Sequence, residues 1–208
     1  MPDQHSRPVP PPSAFGILRE YLASRAAVTD QDFEVIRAAV LFKRLAAGEI
    51  LQRAGDVVQY FTFVAAGCLR SYVIDAQGKE HIVQFAPETW WLADATSLSG
   101  STQSQYFVDA IEDSELLLID SQSHQHLADT IEGFGAAFRR GLQRHIAAKN
   151  ERLVSTLGGT AEERYLEFLR VYPSIAGRVP QFMLASYLGV TPETVSRIRK
   201  NLSRRKSP

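Results

Sequence analysis

Cysteine is almost missing from this chain: Cys68 is the only one in 208 residues. A single thiol excludes an intramolecular disulfide framework, a zinc site built on several cysteines and a four-cysteine iron–sulfur cluster. Long apolar runs are missing too, and none approaches the ~20 residues that cross a bilayer. The opening residues, MPDQHSRPVPPPS, contain no apolar stretch, so a signal peptide is not expected and the predicted location is cytoplasmic. Residues 1–12 carry five prolines and read as a disordered tail.

Net charge is the third absence, since 23 Lys/Arg balance 23 Asp/Glu. The balance hides an asymmetry. Residues 151–208 hold ten bases against five acids, hence +5, and the remainder holds 13 against 18, hence −5. A basic end on an acidic body points to a polyanion partner at that end. With 45% hydrophobic and 22% charged residues the chain is expected to fold.

What is present falls into three textures. Near the start, Ser13 is placed to cap a short helix, and Thr29 with Asp32 in TDQD to cap a second. From about Leu45 to Ser121, the runs EILQR, YFTFVA, LRSYVI, HIVQF, YFVDAI and ELLLID alternate with turn signals such as AGD, AAG and DAQGK. Turns every ten residues or so predict an antiparallel sandwich or barrel. Helical spacing resumes near Ile131, where Phe134, Phe138, Leu142, Ile146 and Leu153 form a stripe. Such a helix can lie across the sheet or form a dimer seam. Gly158-Gly159 then breaks it, a plausible hinge, and Thr160 with Glu163 forms a capping box for the next helix.

The closing segment QFMLASYLGVTPETVSRIRKNL has the pattern of two helices crossing at a tight turn. Ala185 sits at the crossing and Gly189 in the turn. Leu184, Leu188, Val190, Val195 and Ile198 face inward. Thr191 can cap the second helix, with Pro192 at its first position and Glu193 complementing its dipole. At about 100° per residue, Val195, Ile198 and Leu202 share one side, and Glu193, Arg197, Lys200 and Arg204 the other. The candidate DNA contacts are therefore Thr191, Glu193, Thr194, Ser196, Arg197, Lys200, Asn201 and Arg204. Arg197 suits a guanine and Glu193 a cytosine amino group, while Lys200 and Arg204 lie where phosphates are expected.

These parts, in this order, resemble the Crp/Fnr family of bacterial transcription regulators. The resemblance rests on AAGEILQRAGD, VAAGCLRSYVIDAQGKEHIVQFAPE, the long helix and VTPETVSRI, and covers roughly residues 30–202. It implies an α+β architecture: an N-terminal β jelly roll of the cyclic-nucleotide-binding kind with flanking helices (13–130), a long dimerisation helix (131–158) and a C-terminal all-α helix-turn-helix domain (159–208). It implies double-stranded DNA, a second copy of the chain, RNA polymerase and a small-molecule effector as partners, with no membrane and no bound cofactor.

By position, Glu193 and Arg197 match the family's base-reading pair. The arginine often found before that glutamate is Pro192 here, so the best-known half-site of the family is not expected. The family's β-hairpin wing would follow Leu202, where only six residues remain, so a complete wing is not expected. Family members that bind cyclic AMP hold its phosphate with a Gly-Glu pair and, eleven residues after the Gly, an Arg-Ser or Arg-Thr pair. Here those places hold Ala93-Asp94 and Ser104-Gln105. Without a guanidinium, tight cyclic AMP binding is not expected. Tyr72, Phe85, Trp90 and Trp91 either line an apolar effector pocket or are core.

Catalytic and metal readings find little support. His124 and His126 in SHQH fall in a helical segment, where residues two apart do not share a face. A jelly-roll enzyme with an accessory basic tail, or a ligand-binding adaptor, is the alternative reading. No His/Glu metal set and no Ser/His/Asp arrangement accompanies the first of these.

Overall fold

The computed structural model describes residues 12–98 and 102–206, so the proline-rich tail expected at 1–12 lies almost wholly outside the described residues. Two helices open the chain, α1 (Pro12–Ala23) and α2 (Asp30–Ala38). Helix α1 begins at Pro12, so Ser13 lies inside its first turn instead of capping it. The second expectation holds. The Thr29 hydroxyl accepts from Asp32 N, and Asp32 accepts from Thr29 N at 3.0 Å.

Eight strands follow: β1 (Leu41–Leu45), β2 (Ile50–Gln52), β3 (Tyr60–Ala66), β4 (Leu69–Ile74), β5 (Glu80–Ala86), β6 (Trp91–Leu92), β7 (Phe107–Ala110) and β8 (Ser114–Asp120), with the short helix α3 (Ala95–Leu98) before β7. They form two four-stranded sheets, ordered β1-β8-β3-β6 and β2-β7-β4-β5. Six of the eight coincide with the runs read from sequence. Strand β1 starts before the predicted region, and β6 is too short to leave a periodic signal. Strand β8 pairs antiparallel with β1 and β3, Leu117 facing both Phe42 and Phe63. Leu116, Leu117, Leu118 and Ile119 are all buried, because β8 is covered on both faces. Gly67 makes the tight β3–β4 turn at φ 87°. A Cβ there would lie 2.6 Å from Asp113 O. The adjoining Cys68 is 1% exposed, and its thiol lies against Leu69 O at 3.6 Å.

The helices that follow are α4 (Ser121–Thr130), α5 (Glu132–Gly158), α6 (Ala161–Val171), α7 (Gln181–Leu188) and α8 (Pro192–Lys206). The chain packs as two units. One comprises residues through Arg70 together with Ala86–Leu142, and the other Ser71–Phe85 with Gln143–Pro208. These bounds differ from the three functional segments read from sequence. The β4–β5 hairpin clusters with the C-terminal helices, and α5 is divided between the units. Gly158 and Gly159 are consequently internal to the second unit. Gly159 N donates to Ser155 O at 2.8 Å, and Arg164 holds Gly159 O at 2.8 Å.

In the first unit, α1, α2, α4 and the start of α5 bury Leu18, Leu22, Ile36, Leu127, Phe134 and Ala137 against Phe63, Leu117 and Ile119. Full burial of each large side chain contributes about 1.5–3 kcal/mol. Within this core His124 stacks on Phe61, ring centroids 4.0 Å apart, and meets Phe138 edge-on at 4.2 Å. Its Nε2 is buried without a hydrogen-bond partner among the described residues. Burial therefore holds its pKa down to about 4 from the usual 6.5. The unfolded chain takes up a proton near pH 6.5 that the fold refuses until about pH 4. Stability is thus full above pH 6.5 and falls as pH drops through that window. His124→Leu is expected to flatten the fall in melting temperature between those two values.

Candidate functional site

The C-terminal unit builds its site on a short-turn helix pair. Leu184, Ala185 and Leu188 of α7 are buried, as are Val195 and Ile198 of α8. Gly189 ends α7 in the left-handed region at φ 66°, a conformation open to glycine at little cost. Thr191 caps α8 by accepting from Thr194 N at 3.3 Å. Gln181 Nε2 donates to Pro192 O at 2.7 Å and ties the start of α7 to the start of α8.

The cations of α8 divide by face. Arg199 turns inward, donating to the Tyr165 hydroxyl at 3.2 Å and to Ala176 O at 3.4 Å. Arg205 pairs with Glu162 on α6. Arg197, Lys200 and Arg204 are exposed and have no ion pair among the described residues. Glu193, Ser196 and Asn201 are exposed on the same side, with Thr191, and Thr194 is half-buried. The Glu193 carboxyl is held below its ordinary pKa by its own backbone N–H and the Thr191 hydroxyl. The outer face is a row of three unneutralised cations opened by one ionised carboxylate.

Helix α5 corrects part of the predicted seam. Phe134 is fully buried and Phe138 packs edge-on to Phe61 and Trp91, so both belong to the chain's own core. Helical periodicity marks an apolar face without naming what covers it. Leu142, Ile146 and Leu153 are 46%, 49% and 59% exposed, and Val154 and Leu157 more so.

The predicted pocket residues are not brought together. Trp91 packs with Tyr21, Phe63 and Phe138 in the first unit. Phe85 packs with Phe168, Tyr172 and Tyr187 in the second. Tyr72 is buried at 5% exposure. Phe85 and Trp91 are core because each sits in a ring cluster. Burial accordingly raises the hydroxyl pKa of Tyr172 and Tyr187. Asp94 and Ser104 do meet: the Ser104 hydroxyl donates to Asp94 Oδ2 at 2.8 Å and accepts from Gln52 Nε2 at 2.7 Å. Ala93 and Gln105 are exposed. Among the described residues no group of three or more His, Cys, Asp or Glu side chains could hold a metal ion. His124 is buried and His126 exposed on different sides of α4.

The cyclic nucleotide-binding domain family matches residues 42–130. Transcriptional regulatory protein btr of Bordetella pertussis is 25% identical over 174 residues, 77% of this chain and 70% of its own. Electron transport regulator A of Shewanella oneidensis is 25% identical over 169 residues, 75% and 66% of the two chains. The chain thus spans about two thirds of the length of these curated relatives. Among solved structures, the c-di-GMP responsive global regulator CLP of Xanthomonas campestris superposes with a TM-score of 0.67 at 16% identity, covering 85% of this chain and 93% of that one.

These likenesses support a transcription regulator of the Crp/Fnr type.

Several residues that matter here were silent in the sequence. Arg164 donates from Nε to Leu188 O at 2.9 Å, binding the end of α7 to α6. Arg199 differs from Arg197 in role only because two helical steps turn it by about 200°. Arg152 reaches backbone carbonyls about 70 and 35 residues away, and nothing local announces such contacts. No helix of the described residues is long and apolar enough to cross a membrane.

Proposed function

We propose that this regulator is a cytoplasmic homodimer that binds pseudo-palindromic double-stranded DNA through α8 and answers an effector other than cyclic AMP. The supporting observation is the sorting of cations on α8. Arg199 and Arg205 are engaged by α6 and its surroundings, while Arg197, Lys200 and Arg204 are exposed on the face that carries Glu193. In this reading residues 13–130 form the effector domain, 131–158 the dimerisation helix and 159–208 the DNA-binding domain. Glu193 and Arg197 read bases, and Thr191, Thr194, Ser196, Lys200, Asn201 and Arg204 contact the backbone or flanking edges. The exposed Leu142, Ile146 and Leu153 supply the seam with a second copy. RNA polymerase is met at the promoter by the DNA-bound dimer.

Selection from a random duplex pool tests this function. Enriched inverted repeats with half-sites one turn apart, about 34–36 Å, are the expected result. Enrichment of nothing, or of unpaired single sites, would count against it. The effector proposal rests on Asp94. Its carboxylate already accepts from Ser104 and, at 3.4 Å, from Ser97 N, where a phosphate would need donors. Millimolar cyclic AMP is expected to leave the melting temperature unchanged, and a rise of several degrees would overturn that reading.

A further inference from the structure

Strand β5 ends its sheet, and an edge strand leaves a row of backbone groups needing partners. Here two side chains from the helices supply them. The Ser186 hydroxyl of α7 accepts from Ile82 N at 3.1 Å and donates to Glu80 O at 2.9 Å, so one residue closes a two-point bridge along β5. Arg152 of α5 donates to Ile82 O at 2.8 Å, to Val83 O, and to Tyr187 O at 2.8 Å. Its guanidinium also lies 3.9 Å from the centre of the Tyr187 ring. Behind these polar links Phe85 is fully buried, its ring 5.2 Å from Tyr187 and 5.9 Å from Phe168. Separating the hairpin from α7 would strand a half-buried guanidinium and several backbone groups and expose a phenylalanine. Each of these is unfavourable, so the docked arrangement is the stable one.

We propose that Ser186 and Arg152 are positioning residues for DNA binding, locking the α7–α8 pair onto the β4–β5 hairpin so that hairpin and helix-turn-helix move as one body. The proposal rests on the DNA-binding reading of α8. A helix pair held in advance loses less freedom when the recognition helix enters the groove, which favours binding. By linkage, the same lock makes the hairpin sense the DNA.

The experiment uses the full chain and the duplex enriched from the random pool. Amide exchange is followed at Ile82, with Leu117 of β8 as an internal reference. In the wild type, added duplex is expected to slow exchange at Ile82 and leave Leu117 unchanged. Ser186→Ala keeps nearly the same volume and is expected to speed Ile82 exchange and weaken duplex binding, each by about tenfold. Base preference and salt slope should not change, because no DNA-facing group is altered. Arg152→Lys, which keeps the charge but loses the carbonyl fork, should act in the same direction. Should that variant fail to fold, Ser186→Ala decides alone. Unchanged Ile82 exchange in Ser186→Ala would overturn the lock itself. Faster exchange with equal or tighter duplex binding would overturn the positioning role. A wild type that enriches no duplex would sink the DNA reading, and the positioning role with it, whatever the exchange rates show.

Discussion

Arg197→Ala is expected to erase the base preference at one position of each half-site and to weaken binding of the enriched duplex by about 1–3 kcal/mol. Arg197 is exposed on α8, one helical turn after Glu193, and among the described residues no carboxylate pairs with it. A guanidinium in that state can make its full bidentate contact without first breaking a bond. Lys200→Ala is the matched comparison. It should weaken all duplexes alike and reduce the salt slope by about one unit, because a phosphate contact carries no sequence information. Repeating the pool selection with both variants separates the roles. An unchanged consensus with Arg197→Ala would remove Arg197 from the reading face. Arg199→Ala is informative for the opposite reason. It should lower thermal stability through the lost Tyr165 and Ala176 contacts and leave the consensus intact.

The second large effect concerns α5. Phe134→Ala should cost about 3–5 kcal/mol of folding stability, as for other fully buried phenylalanines. Phe134 is 0% exposed and its ring meets His124 at 5.5 Å, so its removal leaves a cavity in the first unit. The loss should appear as a lower urea midpoint with little change in the self-association of the folded fraction. Leu153→Glu should do the reverse, since Leu153 is 59% exposed. It should leave the monomer's stability nearly intact and shift sedimentation towards a single chain. If both variants lowered only the urea midpoint, the exposed stripe would not be a dimer seam.

This contrast shows what the sequence can carry. A period of 3.5 residues put Phe134 and Leu153 on one stripe, and the stripe is real. Which stretch of it meets the chain's own barrel depends on where α1 and α4 lie, and no local pattern encodes that. Strands β2 to β5, β7 and β8 were legible because turn signals separate apolar runs, with Gly55, Gly67 and Gly78 marking the turns between β2 and β5. Strand β6 has only two residues, and β1 lies just outside the first turn signal. The helix-turn-helix was legible almost completely, since capping at Thr191 and the turn at Gly189 are local events. The aromatics at 85 and 91 were not, because composition cannot distinguish a lined pocket from a filled core. The Asp94–Ser104 contact was half legible: the missing guanidinium could be read, but not that the carboxylate would find its own hydroxyl.

Cys68 has a practical corollary. The thiol sits behind the β3–β4 turn at 1% exposure, and no second cysteine competes with it. A thiol reagent added to the native protein can therefore react only when that turn opens, so its rate counts local openings of the barrel. Measured with and without a candidate small molecule, that rate is a covalent clock. A compound that closes the barrel slows it, and a compound that binds elsewhere does not.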